Sequence, residues 1–364
     1  IRVLDFSWVI AGPTATRYLA AMGAEVIKVE APGRGDPGRA SDLHTVLGQA
    51  KQGIVLNLKQ PEALEIARRL VRKSDILIEN YATGVMDRLG LGAEDLRKIN
   101  PNLVYISASG MGREGPDAKA VAYGTLLQCF SGFAGLNRHP ETPPRVGMAW
   151  LDPMCGLKLA FIAAASIWRR RRYGGAARVD FSMVEAMLWT MAEPLIQCQR
   201  AESVAPQGNR SPVYWPHGIY PCQGADAWIG LVITNDEQWR RFCDRTPGLA
   251  PFKQKSASER RELQAEIEPI ILELISKQSL ENIDKILSDL EISVADLATT
   301  QGLANSPHLR ARGFWDDFEA GHLPGLPWRA DFPRAVGEAD VVMKSVLGMP
   351  EADIAALRDG GAFG

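Results

Sequence analysis

The first 110 residues switch repeatedly between short apolar runs and longer amphipathic ones, and this alternation leaves few folds open. Arg2–Phe6 reads as a strand that leads through Ala11-Gly12-Pro13 into a helix over Thr14–Met22, which Gly23 stops. Glu25–Val29 and Ile54–Leu58 read as the next strands, and Pro61–Arg72 as a helix with proline at its first position. Asp75–Glu79 and Leu103–Ala108 follow as buried strands, separated by a short helix at Ala93–Ile99. Strand, helix, strand at these spacings predicts βαβ units around a largely parallel sheet, so this part of the chain is α/β.

Beyond it, Ala122–Ala134 reads as a helix, and after the proline-rich turn Pro140–Pro144 a long apolar helix runs over Leu157–Arg172. Its last turn, Arg169-Arg170-Arg171-Arg172, could suggest nucleic acid, but cations offset the negative end of a helix dipole and Gly174-Gly175 supply a cap. Arg178–Ser182 reads as a strand and Met183–Gln199 as another helix. Near Gly208 the texture changes to prolines and glycines, followed by a strand at Ala227–Ile233, a helix at Asp236–Cys243 and a charged helical stretch, Ser256–Asp289, long enough for two helices. A second domain is expected to start there. A final helix is expected at Pro350–Arg358.

Composition narrows the function classes. With 46% apolar and 23% charged residues over 364 positions, the chain has the balance of a globular protein, and its length suits two domains. A formal net charge of −2, with no basic or acidic block, argues against a nucleic-acid partner. Cys129, Cys155, Cys198, Cys222 and Cys243 form no Cys-x-x-Cys pair, which disfavours a zinc ribbon or redox motif and fits free thiols in the cytoplasm. The histidines (His44, His139, His217, His308, His322) do not cluster either, so no metal site is expected. The longest apolar stretch, Leu157–Trp168, contains Lys158 and is too short to span a bilayer, so no membrane segment is expected. The chain opens on Ile1 inside a strand-like run, and the lack of a visible targeting peptide therefore carries little weight.

The first βα turn lacks the Gly-x-Gly-x-x-Gly of dinucleotide-binding proteins: it reads Ser7-Trp8-Val9-Ile10-Ala11-Gly12-Pro13, with one glycine and a bulky Trp, which disfavours a nicotinamide dehydrogenase. Gly33–Arg39 has no Gly-Lys-Ser/Thr, and Gly-x-Ser-x-Gly is absent from the chain. The most informative acid is Asp152, in Trp150-Leu151-Asp152-Pro153, just ahead of the long apolar helix. One reading makes it an N-cap with Pro153 at the first helical position. The other makes it a nucleophile whose anion the helix dipole stabilises, and the two do not compete.

Several segments together resemble the class III coenzyme A transferases, the family of formyl-CoA and carnitine-CoA transferases, which also contains α-methylacyl-CoA racemases. They are Val3-Leu4-Asp5-Phe6, Ala11-Gly12-Pro13, Gly23–Glu30, Gly35-Asp36, Asn57-Leu58-Lys59, Asp75–Asn80, Asn100–Val104, Gly110-Met111-Gly112 and Val179–Met183, with Gly208-Asn209 and Ser306–Leu309 later. Their order and spacing carry the likeness, which runs along nearly the whole chain.

The resemblance implies a Rossmann-like large domain of residues 1–207 and 321–364, an inserted smaller α+β domain of residues 208–320, and two chains interlocked as a homodimer with active sites in inter-domain, inter-subunit clefts. It implies acyl-CoA:carboxylate CoA transfer in which Asp152 attacks the donor thioester. CoA is then a substrate with no tightly bound cofactor, and the partners are an acyl-CoA, a carboxylic acid and a second copy of the chain. Val9, Ile10 and Ala11 match the segment lining the pantetheine, Leu56 and Lys59 the adenine and phosphate end, and Asn80, Tyr81, Val85 and Arg88 another wall. Tyr123 falls near the acyl group. Trp8 and Ile10 stand where formyl-CoA transferases have His and Gln, Ala31 replaces an Arg, and the tetraglycine loop has no counterpart. Trp8 with Trp150 therefore implies a larger, more apolar acyl site, or one facing a cationic acyl group. Racemase chemistry is disfavoured because the racemases of this family place a His shortly after Gly-x-x-Gly-Pro, whereas here Gly112–Pro116 is followed by Asp117–Tyr123 without one, leaving one base of a two-base mechanism missing. A CoA-dependent lyase or a non-catalytic CoA-binding protein are the remaining alternatives.

Overall fold

Strands with apolar residues on both faces must be covered on both, and the parallel sheet meets that demand with helices. The computed structural model describes residues 1–330 apart from Arg34, Ala201, Glu319 and Ala320. The helix expected at Pro350–Arg358 lies outside the described residues. The chain divides into two units: Ile1–Gly135 with Arg145–Val204 and the chain from Leu326, and Leu136–Pro144 with Ala205–Gly325.

The first unit is built on β1 (Arg2–Asp5), β2 (Glu25–Glu30), β3 (Lys51–Val55), β4 (Ile76–Glu79), β5 (Val104–Ser109) and β6 (Ala177–Ser182), all parallel, in the order β3-β2-β1-β4-β5-β6. The order reverses between β1 and β4, which in open α/β sheets opens a ligand crevice beyond the carboxyl ends of those strands. Its helices are α1 (Ala11–Ala21), α2 (Asp42–Gly48), α3 (Pro61–Arg72), α4 (Val85–Arg88), α5 (Ala93–Ile99), α6 (Gly124–Phe130), α7 (Phe133–Leu136), which ends at the unit boundary, α8 (Leu151–Tyr173), α9 (Met183–Thr190) and α10 (Ala192–Gln199). Amphipathic α3 buries Ala63, Ile66, Ala67, Leu70 and Val71 at helical spacing. These join Leu4, Phe6, Ile27, Val29, Ile54 and Leu77 in an apolar core on one face of the sheet.

The other face is different. Strand alternation puts Asp5, Lys28, Glu30 and Lys51 beneath α1, all of them buried. Helices α1 and α8 pack closely: a Cβ on Gly156 would lie 2.5 Å from Thr14 Cβ and 2.8 Å from the Ala11 carbonyl oxygen.

The second unit contains the antiparallel sheet β7 (His217–Pro221), β8 (Trp228–Val232) and β9 (Ser293–Asp296). It is covered by α11 (Asp236–Arg245), α12 (Ala257–Glu262), α13 (Gln264–Ser276) and α14 (Leu280–Asp289), whose Trp239, Phe242, Ile267, Ile271, Ile283 and Leu287 fill a separate core. Arg260 is 1% exposed there, lying 4.9 Å over the Trp239 ring and donating to Asp236 at 2.8 Å.

Several boundaries differ from the sequence reading. β3 begins at Lys51, not Ile54, because the buried Lys51 ammonium is paired and so pulls a charged residue into the sheet. The expected helix 122–134 breaks at Gly132, which has φ +83°, and the expected helix 183–199 breaks at Met191. Residues 256–289 form three helices, the first opened by a capping box between Ser256 and Glu259. Helix α8 starts at Leu151, six residues before the predicted Leu157, and so is 23 residues long. Contrary to the expectation from the shorter stretch, it is long and apolar enough to cross a membrane by length and composition, with a mean hydropathy of 1.3 over its best window. One stripe of it, Leu151, Asp152, Cys155, Gly156, Leu159, Ala163 and Ile167, is buried. At its far end Gly174 (φ +75°) supplies the cap, and Arg170 donates to Asp75 at 2.5 Å.

Candidate active site

Crossover helices in a parallel sheet run back against the strands, so α1 and α8 both start at the carboxyl edge. The Gly156 contact sets their first turns side by side. Asp152 lies one turn before Gly156 on the same stripe of α8. The N-cap of α8 is Trp150, with no side-chain hydrogen bond, so Asp152 is inside the first turn and is not the N-cap that the sequence suggests. Pro153 is accommodated because first-turn N–H groups have no helical acceptor to lose.

Asp152 is 9% exposed. Burial pushes its carboxyl up to about 6, with only its own backbone N–H opposing, so desolvation outweighs the helix dipole that the sequence argument emphasised. At neutral pH it is still mostly ionised, and it is a stronger base than a solvated aspartate. Its carboxylate lies against Gly124, the first residue of α6, where an added Cβ would come within 1.8 Å of Oδ2. Gln128, one turn on, donates to the Val146 carbonyl at 2.8 Å and so ties the segment leading into α8. Tyr123 is the N-cap of α6 and 63% exposed; Trp150 is 36% exposed, with its ring 5.2 Å from that of Phe133.

The second half of the site is the β1–α1 turn. Asn80, just past β4, brackets Trp8: it accepts from the Trp8 N–H at 2.7 Å and donates to the Trp8 carbonyl at 2.8 Å. These bonds cross the β1/β4 switch point. The Trp8 ring meets that of Tyr81 edge-on at 5.1 Å. Ile10 is the N-cap of α1, which begins at Ala11. The structure therefore brings Trp8, Val9, Ile10, Ala11, Asn80 and Tyr81 together, with half-buried Val85 and exposed Arg88 on the helix that follows. Leu56 is fully buried in the apolar core and Lys59 is exposed, both beyond the end of β3, two strands out from β1 and hence on the order of 10 Å away.

Beneath the turn lies a polar network that the sequence reading missed. Asp5 accepts from the Ser7 N–H at 2.9 Å, and Lys51 Nζ sits 3.1 Å from Asp5 Oδ2, 2.9 Å from the Pro13 carbonyl and 2.7 Å from Thr16 Oγ1. Lys28 Nζ donates to the Ser7 carbonyl and lies 3.2 Å from Asp36. Lys28 and Lys51 and the Ser7 and Thr16 hydroxyls hold the Asp5 carboxyl far below the usual range despite full burial, while burial brings Lys51 down to about 8. The signal was present: Asp5, Lys28 and Glu30 are charged residues on one face of otherwise apolar strands.

A parallel sheet with this switch point, a buried carboxylate on a crossover helix with no ion-pair partner among the described residues, and a clamped βα turn without the dinucleotide-binding glycine fingerprint mark an α/β enzyme of another class than the nicotinamide dehydrogenases. A family model described as CoA-transferase family III matches residues 1–344, and the chain belongs to that family. It is an enzyme of the CoA-transferase class. It is 34% identical over 340 residues to an acetyl-CoA:oxalate CoA-transferase of Acetobacter aceti, covering 89% of this chain and 87% of the relative. It is 29% identical to a succinyl-CoA–D-citramalate CoA-transferase of Chloroflexus aurantiacus, covering 86% and 81%. Its fold matches that of a CAIB/BAIF family protein from Brucella suis with a TM-score of 0.85 at 23% identity, covering 96% of this chain and 97% of that one.

Proposed function

We propose that the protein moves CoA from an acyl-CoA to a carboxylic acid through covalent intermediates on Asp152. The observation that carries this is a buried carboxylate with no charged partner among the described residues, beside Gly124 and the opening of α1: a desolvated carboxylate is activated as a nucleophile, and a stabilising structural role would have paired it. An Asp152 oxygen attacks the thioester carbonyl, the C–S bond breaks, and a mixed anhydride and CoA thiolate result. The thiolate attacks the aspartyl carbonyl, releasing the donor acid and leaving an aspartyl-CoA thioester. The incoming carboxylate attacks that thioester to give a second anhydride and thiolate. Attack of the thiolate on the new acyl carbonyl then yields the product and restores Asp152. Every intermediate is an activated acyl group, so each step reverses easily.

On this reading Val9, Ile10 and Ala11 line the pantetheine, Tyr81 and Val85 form a wall, and exposed Lys59 and Arg88 face the phosphates. Asn80 serves by holding Trp8. Leu56, as a core residue, supports the adenine end from beneath. Trp8, Tyr123 and Trp150 border the acyl group; Trp8 Nε1 is buried without an acceptor, and a substrate oxygen would supply one. Acids of an apolar or cationic kind should then outcompete small dicarboxylates, and the reverse ranking in a donor and acceptor panel would reject this acyl site.

The domain division expected from the sequence, residues 1–207 with 321–364 and residues 208–320, belongs to the same proposal. So does the homodimer. Leu157, Phe161 and Trp168 on α8, Trp189 on α9 and Ile196 on α10 are exposed, an apolar load that suits a permanent partner. A monomer in sedimentation would count against it. The free cysteines fit the reducing cytoplasm.

The decisive experiment incubates enzyme with an acyl-CoA and hydroxylamine and examines the Asp152 peptide by mass spectrometry. A hydroxamate on Asp152 is expected, with loss of turnover by about a thousandfold or more in Asp152→Ala. Full transferase turnover in that variant would reject the mechanism.

A further inference from the structure

Val9 has φ +67°, left-handed backbone that a β-branched residue rarely adopts because its Cγ atoms crowd the neighbouring peptide. Glycine would take this conformation without strain, yet the chain keeps valine. Asp36 holds it. One of its carboxylate oxygens accepts from the Val9 N–H at 2.9 Å and from the Gly38 N–H at 2.8 Å, while the other lies 3.2 Å from Lys28 Nζ. Asp36 is 2% exposed, and Gly38 packs so close that an added Cβ would be 3.4 Å from Val9 Cα.

The neighbouring peptide units are held in the same manner. The Ser7 N–H is taken by Asp5, the Ser7 carbonyl by Lys28, and both Trp8 backbone groups by Asn80. From Ser7 to the Val9 N–H, these backbone polar groups are all satisfied by side chains from β1, β2, the loop after β2 and the residue after β4. The first donors left to face a ligand are those opening α1, whose direction follows from the backbone angles at Val9.

We infer that Asp36, braced by Lys28, is a positioning residue that holds Val9 in its left-handed conformation and so aims the first turn of α1 at the acyl-CoA. This rests on the proposed CoA site, because a turn that met no ligand would have no use for the strain. A left-handed β-branched residue is strained, and losing Asp36 lets the turn relax away from the binding conformation.

The test measures CoA binding by calorimetry to the full-length protein. Asp36→Ala should weaken binding about tenfold or more, and Asp36→Asn, which keeps the acceptor oxygen, should stay within about threefold of wild type. Val9→Gly in the Asp36→Ala background should regain most of the lost affinity, because glycine adopts φ +67° unaided. A merely stabilising Asp36 predicts no such rescue. Undiminished binding in Asp36→Ala, or a double variant no tighter than Asp36→Ala, overturns the inference. Should wild type itself fail to bind CoA, the functional reading fails on its own; amide exchange at Val9, slow in wild type and in Asp36→Asn and fast in Asp36→Ala only if Asp36 holds the turn, still decides whether Asp36 acts there.

Discussion

Asp5 and Asp152 are both buried aspartates near the opening of α1, and their surroundings have opposite effects. Asp5 is fully enclosed by two ammonium groups, two hydroxyls and a backbone N–H, and its carboxyl is held far below the usual range. Asp152 has a glycine against its carboxylate and a carboxyl pushed up to about 6 by burial. One burial is compensated and makes the scaffold; the other is uncompensated and leaves a charge that gains by reacting. Proteins place such uncompensated groups where chemistry needs them and tolerate the cost to stability.

The comparison predicts stability changes of opposite sign. Removing Asp5 takes from Lys51 the carboxylate it pairs with beneath α1, so Asp5→Ala should cost about 3–5 kcal/mol in urea unfolding. A loss below about 1 kcal/mol would show that the network is not what holds this face of the sheet. Asp152→Asn should instead stabilise the fold. The folded carboxyl titrates near 6 and an unfolded one near 3.8, so the folded protein binds the extra proton between those values, and stability attributable to Asp152 is present below the lower one and lost as pH rises through about 6. At pH 7.5 the asparagine variant should therefore gain on the order of 2–3 kcal/mol, with the gain vanishing below about pH 4. On the proposed mechanism the same titration sets the rate: turnover should fall as pH drops through about 6, roughly two units above where a solvated aspartate would lose its charge. Equal thermal stability of wild type and Asp152→Asn across this range would remove the contrast.

Much of this scaffold was legible because apolar periodicity and proline or glycine punctuation mark parallel strands and their helices. β1, β2, β4 and β5 fall within a residue or so of the runs read from sequence. Two of the failures share a cause: residues that local pattern scores as breakers were recruited by tertiary contacts. Lys51 entered β3 for Asp5, and Pro153 and Gly156, which precede the apolar run read as helix from Leu157, lie inside α8 because first-turn proline is harmless and Gly156 is required against Thr14. β9 was not anticipated, being polar and exposed at a sheet edge. Within the site, Asp152 stands out by its position before an apolar helix, but its environment does not. Nothing local says that Gly124 lies against it or that Asp36 reaches Val9, since both pairings are made by the fold.

The finest test of the contrast leaves both aspartates in place. Gly124→Ala puts a methyl group where Asp152 Oδ2 now lies, 1.8 Å from the new Cβ. Backbone strain does not enter, because Gly124 opens α6 without a positive φ. The clash meets the far end of a rotatable side chain, so the carboxylate swings aside and stability should change by no more than about 1 kcal/mol. On the proposed mechanism a nucleophile displaced by even 1 Å is a poor one, and turnover should fall about tenfold to a hundredfold. Because the displaced carboxylate gains access to water, its titration should also move down, carrying the acid limb of the pH–rate profile below about 6 toward the value of a solvated aspartate. A slower enzyme with an unchanged acid limb would mean that Gly124 serves the substrate and not the burial of Asp152, and the difference between the two aspartates would then need another origin.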